Sequence, residues 1–240
     1  RPKDVEKSEF KKIGILGAGM MGAGIANVTA MAGLQVVLLD STLESAEKGK
    51  SYSEDLLNKA IKRKRMTEEK RDGILGLIKP TVDYADLDGC DMVIEAVFED
   101  RTIKADVTAK TEAVIAADAI FASNTSTLPI TGLAEASARP ANFIGLHFFS
   151  PVDKMPLVEI IMGEKTGDVA LARAMDFVKR IRKTPVVVND SRGFYTSRVF
   201  ATYVAEGLAL LGEGVKPALI ENAGRMAGMP VGPLALADEV

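Results

Sequence analysis

The chain has 240 residues, which is long enough for one large domain or two domains with a substantial core. Its 30 basic and 33 acidic side chains leave a formal net charge of −3, so composition gives no support for a nucleic-acid partner. The single cysteine, Cys90, excludes an internal disulfide and suits a reducing compartment, and no cluster of cysteine and histidine indicates a metal site. No apolar run approaches the roughly 20 residues of a membrane span, and no signal peptide is visible.

Residues 12–40 have the pattern of a strand, a glycine turn, a helix and a second strand. Apolar residues recur at helical spacing after the turn, and the apolar run 36–39 then stops at Asp40. A turn of this form between a strand and a helix is typical of dinucleotide-binding sites. The turn itself follows the apolar run 13–16 and has the sequence Gly17-Ala18-Gly19-Met20-Met21-Gly22.

Each glycine of this turn has a physical role in holding a dinucleotide. Gly17 permits the tight bend, Gly19 lets the backbone approach a pyrophosphate, and Gly22 lets the helix pack closely on the strand. Asp40 is placed to bind a ribose 2′-hydroxyl and would repel a 2′-phosphate. A glycine turn can also serve plain packing, but this context favours NAD as the cofactor over NADP. The predicted cofactor contacts are Gly17, Gly19, Met20, Met21, Gly22 and Asp40.

Helices and strands alternate after this unit. Ser41 with Glu44 fits a capping box and predicts the start of a long helix, which runs into the basic tract 59–65. Thr67 predicts the cap of a second helix, which would extend to residue 78. The pattern further predicts a crossover helix at 101–117 and strands at 92–97, 120–123 and 143–147. These elements predict an α/β fold with a doubly wound, mainly parallel Rossmann-type sheet.

The pattern changes near residue 150. The apolar run 157–161 is too close to the strand at 143–147 for a helical crossover, so these two strands should pair antiparallel. A helix at 169–182 and a last strand at 185–188 follow. Beyond residue 190 the pattern is helical only, which predicts a Rossmann-type domain at 1–190 and the start of an all-α domain at 191–240. That second domain should be truncated, because the apolar run 234–240 has no cap.

Polar groups follow three predicted strands at their carboxyl ends, where open parallel sheets bind ligands. They are Glu99, the segment 123–126 and His147. A lone histidine in an apolar run is more often a buried core residue than a catalyst. A turn centred on Asp153, however, sets His147 opposite Glu159, with their Cβ atoms about 5 Å apart. The carboxylate could then fix the imidazole tautomer and leave the other nitrogen to act as acid or base near neutral pH.

Two further segments have both a binding interpretation and a structural one. Asn124, Thr125 and Ser126 could donate hydrogen bonds beside a nicotinamide or could bond their own backbone, and these interpretations have equal weight. The basic tract that contains Lys62 could hold a polyphosphate. Without further context, the better interpretation is that the tract interacts with the negative end of its own helix dipole.

The chain resembles the L-3-hydroxyacyl-CoA dehydrogenases over almost all residues from 10 to 240. The resemblance rests on the glycine turn, the segment 123–126 (Ser-Asn-Thr-Ser), the run 147–159 and the pair Gly193-Phe194, in this order and spacing. Its most specific part is the run 147–159, His-Phe-Phe-Ser-Pro-Val-Asp-Lys-Met-Pro-Leu-Val-Glu. Together with residues 193–196, this run is most similar to the dehydrogenase section of multifunctional fatty-acid oxidation α subunits.

The resemblance implies an NAD-dependent oxidation of L-3-hydroxyacyl-CoA to 3-ketoacyl-CoA in fatty-acid β-oxidation. By the same resemblance, His147 would be the general base for the 3-hydroxyl group and Glu159 would orient it. Ser126 would bond the substrate oxygen. The implied contacts to the nicotinamide half of NAD are Glu99, Lys104 and Asn124.

Two substrate contacts are implied less directly. Lys62 falls near a family lysine that is associated with CoA. Many family members carry asparagine at the position of Ser197, so a shorter hydroxyl group or a bridging water must replace that asparagine at the substrate site. The mitochondrial trifunctional α subunit resembles this chain in lacking the asparagine.

The resemblance also implies partners and a compartment. The substrate would be an acyl-CoA, and the parent chain would carry an enoyl-CoA hydratase domain and could pair with a thiolase subunit. The helical domain could form a homodimer. The expected compartment is the bacterial cytoplasm, with the mitochondrial matrix as the alternative.

Two other functions stay open. A non-catalytic NAD-binding or scaffolding module would bind NAD without binding an acyl-CoA. A dehydrogenase for free 3-hydroxy acids, of the 6-phosphogluconate type, would need a catalytic lysine in the helical part. No such motif is visible at residues 191–211.

Overall fold

The computed structural model describes residues 1–239. The chain divides into two compact units, Arg1–Asp190 and Ser191–Val240. Within the described residues, one eight-stranded sheet forms the centre of the first unit. Its strands are β1 (Lys12–Leu16), β2 (Gln35–Leu39), β3 (Ile78–Thr81), β4 (Met92–Glu95), β5 (Ile120–Ser123), β6 (Phe143–Phe148), β7 (Leu157–Met162) and β8 (Thr184–Asn189).

The strands lie in the order β3-β2-β1-β4-β5-β6-β7-β8. In the part of the chain that the structure describes, every neighbouring pair is parallel except β6 with β7. The chain order reverses between β1 and β4, and this reversal leaves a crevice at the carboxyl ends of the parallel strands. The predicted doubly wound, mainly parallel Rossmann-type sheet is confirmed.

Helices cover both faces of this sheet, which explains why its central strands have no alternation of apolar and polar residues. All four residues of β4 and of β5 are buried, and so are all six of β6. The helices of the first unit are α1 (Met20–Met31), α2 (Leu43–Lys62), α3 (Glu68–Gly76), α4 (Arg101–Glu112), α5 (Ile130–Leu133) and α6 (Asp168–Arg180).

The start of α2 differs from the predicted capping box at Ser41 and Glu44. The cap is Thr42, whose hydroxyl oxygen accepts a hydrogen bond from Ser45 N at 3.1 Å. Ser41 has a different partner, because its backbone N and its hydroxyl donate to Asp40 Oδ1 at 2.6 and 3.1 Å. Ser41 is therefore hydrogen-bonded to the carboxylate of Asp40, and Thr42 caps α2 instead.

The segment after α3 also differs from its prediction. Thr67 caps α3 as predicted, since its hydroxyl oxygen accepts from Lys70 N at 3.3 Å, but the helix ends at Gly76. The residues that follow form β3, which pairs with β2. Pro80 is compatible with this strand because β3 lies at the edge of the sheet, where a missing N–H group breaks no ladder. The prediction of helix up to residue 78 is therefore wrong.

The predicted antiparallel hairpin is confirmed. His147 lies directly opposite Glu159, and Phe148 lies opposite Val158. β8 then pairs parallel with β7, after the crossover through α6. The sheet thereby gains two strands, β7 and β8, that run opposite to the other six.

The second unit is helical, as predicted. It contains α7 (Thr196–Gly212), α8 (Pro217–Met226) and α9 (Pro233–Glu239). Glu221 in α8 accepts hydrogen bonds from Leu234 N and Ala235 N, at 2.8 and 3.1 Å, and so satisfies free N–H groups at the start of α9. Val240, the last residue of the run 234–240, lies outside the described residues. Among residues 1–239, no helix is both long and apolar enough to cross a membrane.

Candidate active site

The turn between β1 and α1 can form only with glycine at two of its positions. Gly17 has a φ angle of +86°, which glycine adopts without strain, and its N–H group donates to Leu39 O at 2.8 Å. A Cβ atom on Gly22 would overlap the carbonyl oxygen of Gly17. Gly17 and Gly22 therefore have the structural roles predicted for them, a tight bend and close packing of helix on strand.

The middle glycine of the turn, Gly19, is different. Its φ and ψ angles of −64° and −172° are open to any residue. Leaving out its chain neighbours, no atom of the described residues lies within 4 Å of the place where a Cβ would stand. The fold therefore does not require glycine here, whereas a ligand approaching the first turn of α1 would. The N–H groups of that turn form an anion site.

Asp40 closes the other side of this turn. Its Oδ2 atom accepts a hydrogen bond from Ala18 N at 2.6 Å, and its Oδ1 atom accepts from Ser41 N at 2.6 Å. The carboxylate is thus held by backbone N–H groups at the carboxyl end of β2, beside the space above the turn. This is the position predicted for the group that binds a ribose hydroxyl.

A cleft of about 1350 Å³ opens above the turn. Pockets for small ligands are usually about 300–1,000 Å³, so this cleft suits a ligand as long as a dinucleotide. Beyond the turn itself, Tyr52 of α2 and Phe98 after β4 form part of its wall. The cleft is lined by five of the predicted cofactor contacts, which are Gly17, Gly19, Met20, Met21 and Asp40.

A second cleft, of about 330 Å³, shares the lining residues Met21, Ala96 and Val97 with the first. It lies at the carboxyl ends of β4, β5 and β6. The structure therefore brings together groups that are far apart in sequence, and it does so beside the dinucleotide cleft. The predicted site residues that line this second cleft are Glu99, Asn124, Ser126 and His147.

His147 and Glu159 form a buried pair in the hairpin. The imidazole Nδ1 lies 2.7 Å from Glu159 Oε2, and the two side chains are 10% and 0% exposed. If Glu159 is ionised, it can only accept, and Nδ1 then carries the proton of this hydrogen bond. Nε2 is then the ring nitrogen that can exchange a proton with a bound molecule.

Glu99 organises the loop that follows β5. Its Oε1 atom accepts from Thr125 Oγ1 at 2.5 Å, from Ser126 N at 3.1 Å and from Thr127 N at 3.2 Å. Burial alone would raise the pKa of Glu99, but the bond from Thr125 and the charge of Lys104 outweigh it and hold that pKa below the ordinary value. The loop that carries Ser126 is therefore anchored to an ionised carboxylate.

Lys104 is buried beneath Glu99, with 2% of its side chain exposed. Its ammonium group contacts both carboxylate oxygens of Glu95, at 2.8 and 2.9 Å, and lies 3.3 Å from Glu99 Oε2. Ser123 Oγ also donates to Glu95. The ammonium group of Lys104 therefore holds the Glu99 carboxylate in place by an ion pair. Glu95 was not among the predicted site residues. The one signal for it in the sequence is a glutamate at the end of an otherwise apolar strand.

The segment Asn124 to Ser126 fits both interpretations that its sequence allowed. The Asn124 side-chain oxygen accepts from Phe148 N at 2.9 Å, which ties this loop to the strand of His147. Thr125 is buried and bonds Glu99, whereas Ser126 is exposed and lines the second cleft. The first two residues therefore hold backbone in place, and the third faces the space where a ligand would bind.

Two further residues, Lys62 and Ser197, are predicted to contact the substrate. Lys62 is exposed in the last turn of α2. It is ten residues, or about 15 Å of helix, beyond the cleft-lining Tyr52. Ser197 is the second residue of α7, in the second unit. The structure does not bring Lys62 to either cleft.

Comparison with known families agrees with this geometry. Residues 12–191 match the NAD binding domain of 3-hydroxyacyl-CoA dehydrogenase. The chain belongs to the 3-hydroxyacyl-CoA dehydrogenase family. Residues 193–240 match the C-terminal domain of the same family, so the two matches meet close to the boundary between the two compact units.

Individual relatives of the chain within this family are of two kinds. The fatty acid oxidation complex subunit alpha of Shewanella halifaxensis is 43% identical over 238 residues, which are 99% of this chain and 34% of the relative. The chain thus spans about a third of the length of the curated relatives it matches. Among solved structures, the (S)-3-hydroxybutyryl-CoA dehydrogenase of Ralstonia eutropha has a TM-score of 0.92 and 37% identity, covering 96% of this chain and 82% of its own. The 3-hydroxybutyryl-CoA dehydrogenase of Escherichia coli K12 has a TM-score of 0.92 and 33% identity, covering 96% and 49%.

The cofactor is NAD, in keeping with the matched NAD binding domain, and the residues of the first cleft fit it. The open space at Gly19 and the N–H groups of α1 suit a pyrophosphate. The carboxylate of Asp40 suits a ribose with a free 2′-hydroxyl. No group of three or more potential metal ligands occurs in the described residues.

Proposed function

We propose that the chain catalyses the NAD-dependent oxidation of an L-3-hydroxyacyl-CoA to a 3-ketoacyl-CoA, as a step of fatty-acid β-oxidation. The observation that carries the proposal is the buried His147–Glu159 pair at the carboxyl end of β6. His147 lines a cleft that shares Met21, Ala96 and Val97 with the dinucleotide cleft, and Glu159 is buried behind it. An acid–base group beside a bound nicotinamide is the arrangement that oxidation of an alcohol requires.

His147 is the general base of the proposed reaction. Its Nε2 atom accepts the proton of the substrate 3-hydroxyl group as the C3–H bond breaks. When NAD⁺ is bound, it supplies the acceptor for the hydride that leaves C3. Glu159, 2.7 Å from Nδ1, stabilises the imidazolium ion that forms. In the reverse direction, the same nitrogen returns the proton to the ketone oxygen.

The loop after β5 positions the substrate oxygen. Ser126 lines the cleft, and we assign its hydroxyl group as the hydrogen-bond donor to that oxygen. Glu99 and Lys104 fix this loop beside the nicotinamide, and Asn124 fixes it to the strand of His147. We further assign a CoA contact to Lys62 and a substrate contact to Ser197.

The reaction is tested most easily in the reducing direction. Purified chain is mixed with NADH and acetoacetyl-CoA, and the decrease in NADH absorbance gives the rate. His147→Ala should lower kcat by about 100- to 10,000-fold, because that is the usual contribution of a general acid or base. NADH affinity, measured by fluorescence, should stay within about twofold, because His147 is not part of the glycine turn.

Two results would contradict the proposal. A rate for His147→Ala equal to that of the wild type would remove His147 from the mechanism. Binding of NADH without binding or turnover of acetoacetyl-CoA would favour the non-catalytic NAD-binding module instead. Titration calorimetry with acetoacetyl-CoA measures acyl-CoA binding directly and so distinguishes the dehydrogenase from the non-catalytic module.

We infer further that the chain is the dehydrogenase region of a larger multifunctional protein. The support is that its curated relatives are named fatty acid oxidation complex subunit alpha and are about three times as long. On this proposal the parent chain carries an enoyl-CoA hydratase region, pairs with a thiolase subunit and forms dimers through the helical unit. Its bacterial relatives favour the cytoplasm as the compartment over the mitochondrial matrix.

A further inference from the structure

The tip of the β6–β7 hairpin is fixed by a buried lysine from a distant part of the chain. The Lys183 ammonium group donates to Val152 O at 2.5 Å and to Met155 O at 2.6 Å. Lys183 is 9% exposed and directly precedes β8. Burial lowers the pKa of this ammonium group, and the charge of Asp153 opposes that effect. The Lys183 ammonium group is therefore costly to bury, and its two hydrogen bonds hold the loop between β6 and β7.

The same loop packs on the helices of the dinucleotide cleft. Val152 is 2% exposed and lies against α1 so closely that a Cβ on Gly24 would come within 2.8 Å of its Cβ atom. Tyr52 of α2 donates to Asp153 Oδ1 at 3.3 Å. The loop is therefore held between Lys183 on one side and the helix that begins at the glycine turn on the other.

We propose that Lys183 is a positioning residue for hydride transfer, which fixes His147 relative to the cofactor bound at α1. The loop that Lys183 holds joins the strand of His147 to the strand of Glu159, so a shift of its tip moves both side chains. A displacement of about 1 Å in such a site can lower a rate about 100-fold. This inference rests on the proposed dehydrogenase activity, and its test includes a measurement that does not depend on that activity.

Another lysine provides a matched control. Lys12 donates to two backbone carbonyl oxygens in the same way, to Asp86 O at 2.8 Å and to Asp88 O at 2.6 Å. It is the first residue of β1, so it lies at the amino ends of the parallel strands, whereas the clefts lie at their carboxyl ends. Substitution of either lysine by methionine keeps an unbranched side chain and removes two bonds from an ammonium group to backbone. The two sites differ in the segment they hold. Lys183 holds the loop between the strands of His147 and Glu159, whereas Lys12 holds the segment 86–88.

The two variants are compared by melting temperature and by steady-state kinetics with NADH and acetoacetyl-CoA. Lys183→Met and Lys12→Met should both lower the melting temperature. Lys183→Met alone should lower kcat by about tenfold or more, with the KM for NADH within about twofold, because it displaces the acid–base group and leaves the glycine turn intact. Lys12→Met should keep the kcat of the wild type.

A second measurement follows the imidazole directly. His147 is the only histidine in the chain, so protein labelled with ¹⁵N-histidine gives imidazole signals that need no assignment. Lys183→Met should shift or split these signals, including the Nδ1 proton that bonds Glu159, and Lys12→Met should leave them unchanged. If the wild type does not reduce acetoacetyl-CoA, the proposed function fails, and the imidazole signals still decide the role of Lys183.

Imidazole signals in Lys183→Met that match those of Lys12→Met would overturn the proposal, whatever the rates. So would a wild-type kcat in folded Lys183→Met, provided that the wild type is active. If Lys183→Met does not fold, Lys183→Gln takes its place, because it keeps an N–H donor on a side chain one atom shorter. The same two measurements and the same comparison with Lys12→Met then apply.

Discussion

On the proposed function, the turn between β1 and α1 recognises its ligand with backbone groups and open space, whereas the β6–β7 hairpin acts through two ionisable side chains. In the turn, the decisive features are the φ angle of Gly17 and the absence of a side chain on Gly19 and Gly22. In the hairpin, the decisive feature is the pairing of His147 with Glu159. Both lie at the same edge of one sheet.

This difference determines which changes each region tolerates. The turn should be sensitive to added volume, even a single methyl group, because its atoms must approach one another and the ligand closely. The hairpin should be sensitive to a change of charge or hydrogen-bond direction at constant volume, because the strand register sets which residues face each other but not which atom carries the proton. Substitutions that separate volume from charge test this contrast.

The largest effect is expected for Glu159→Gln, which keeps the volume and removes the charge. The amide NH₂ of glutamine can donate to Nδ1 of His147, which would leave the proton on Nε2, the atom that must accept one from the substrate. We expect kcat to fall about 100-fold or more, since that is the lower range for a lost general base. Stopped-flow measurement of NADH consumption with acetoacetyl-CoA checks this value.

The control for Glu159→Gln is the affinity for NADH, which should not change because the glycine turn is untouched. A variant that binds NADH more weakly by the same factor as its loss of rate would show that the hairpin also shapes the cofactor site. The contrast between the two regions would then be wrong.

A smaller effect is expected from a pair of substitutions in the turn, Gly22→Ala and Gly19→Ala. The added methyl group of Gly22→Ala overlaps the carbonyl oxygen of Gly17, so this variant should lose both stability and NADH binding. Gly19→Ala meets open space and should keep the melting temperature of the wild type. It should weaken NADH binding about 5- to 150-fold, because an overpacked methyl group costs about 1–3 kcal/mol and 1.4 kcal/mol is tenfold in affinity.

Thermal unfolding and NADH fluorescence titration together read out this pair. Equal loss of stability in both variants would mean that Gly19 serves the fold, in the same way as Gly22. Wild-type NADH affinity in Gly19→Ala would move the pyrophosphate away from the first turn of α1.

The smallest effect is expected for Thr125→Val, which removes the hydrogen bond to Glu99 Oε1. The folded-state pKa of Glu99 lies below its ordinary value of 4.5, so Glu99 contributes stability above that value and loses it as the pH falls through the folded pKa. Thr125→Val should raise this pKa. The variant should therefore be less stable than the wild type at neutral pH by about 1 kcal/mol, a modest value because about a third of the Glu99 side chain contacts solvent.

The measurement for Thr125→Val is the difference in melting temperature between variant and wild type at several pH values from 7 to about 3, a range that extends well below the ordinary pKa of 4.5. The difference should narrow as the pH decreases, because protonation of Glu99 removes its contribution from both proteins. Loss of the bond between Leu128 N and Thr125 Oγ1 contributes equally at every pH. A difference that stays constant over this range would show that Thr125 acts without Glu99.

Much of this arrangement could be predicted from the sequence because it depends on short-range patterns. The glycine turn and its acid lie within one strand–helix–strand unit, and the pairing of His147 with Glu159 follows from strand periodicity and a single turn. Strand β3 could not be predicted in this way. It is an edge strand with a proline, and its apolar residues continue the spacing of the preceding helix.

The remaining contacts had no local pattern to indicate them. Lys104 and Glu95 are near in sequence, but only the packing of α4 on the sheet buries both side chains against one another. Lys183 bonds backbone carbonyl groups 28 and 31 residues away, and any residue type can provide such a group. Contacts from a side chain to distant backbone therefore required the folded structure.

Because β7 runs in the opposite direction to β6, the length of the loop between them decides whether His147 and Glu159, the proposed catalytic pair, face each other. In a fully parallel sheet, the partner of His147 would come from a strand at least a dozen residues of crossover away. Here it comes from the next strand, after the loop 149–156. An inserted residue that this loop did not absorb would slip β7 by one position and turn Glu159 to the opposite face of the sheet. During evolution, insertions and deletions in this loop are thus constrained by catalysis, although none of its residues transfers the proton.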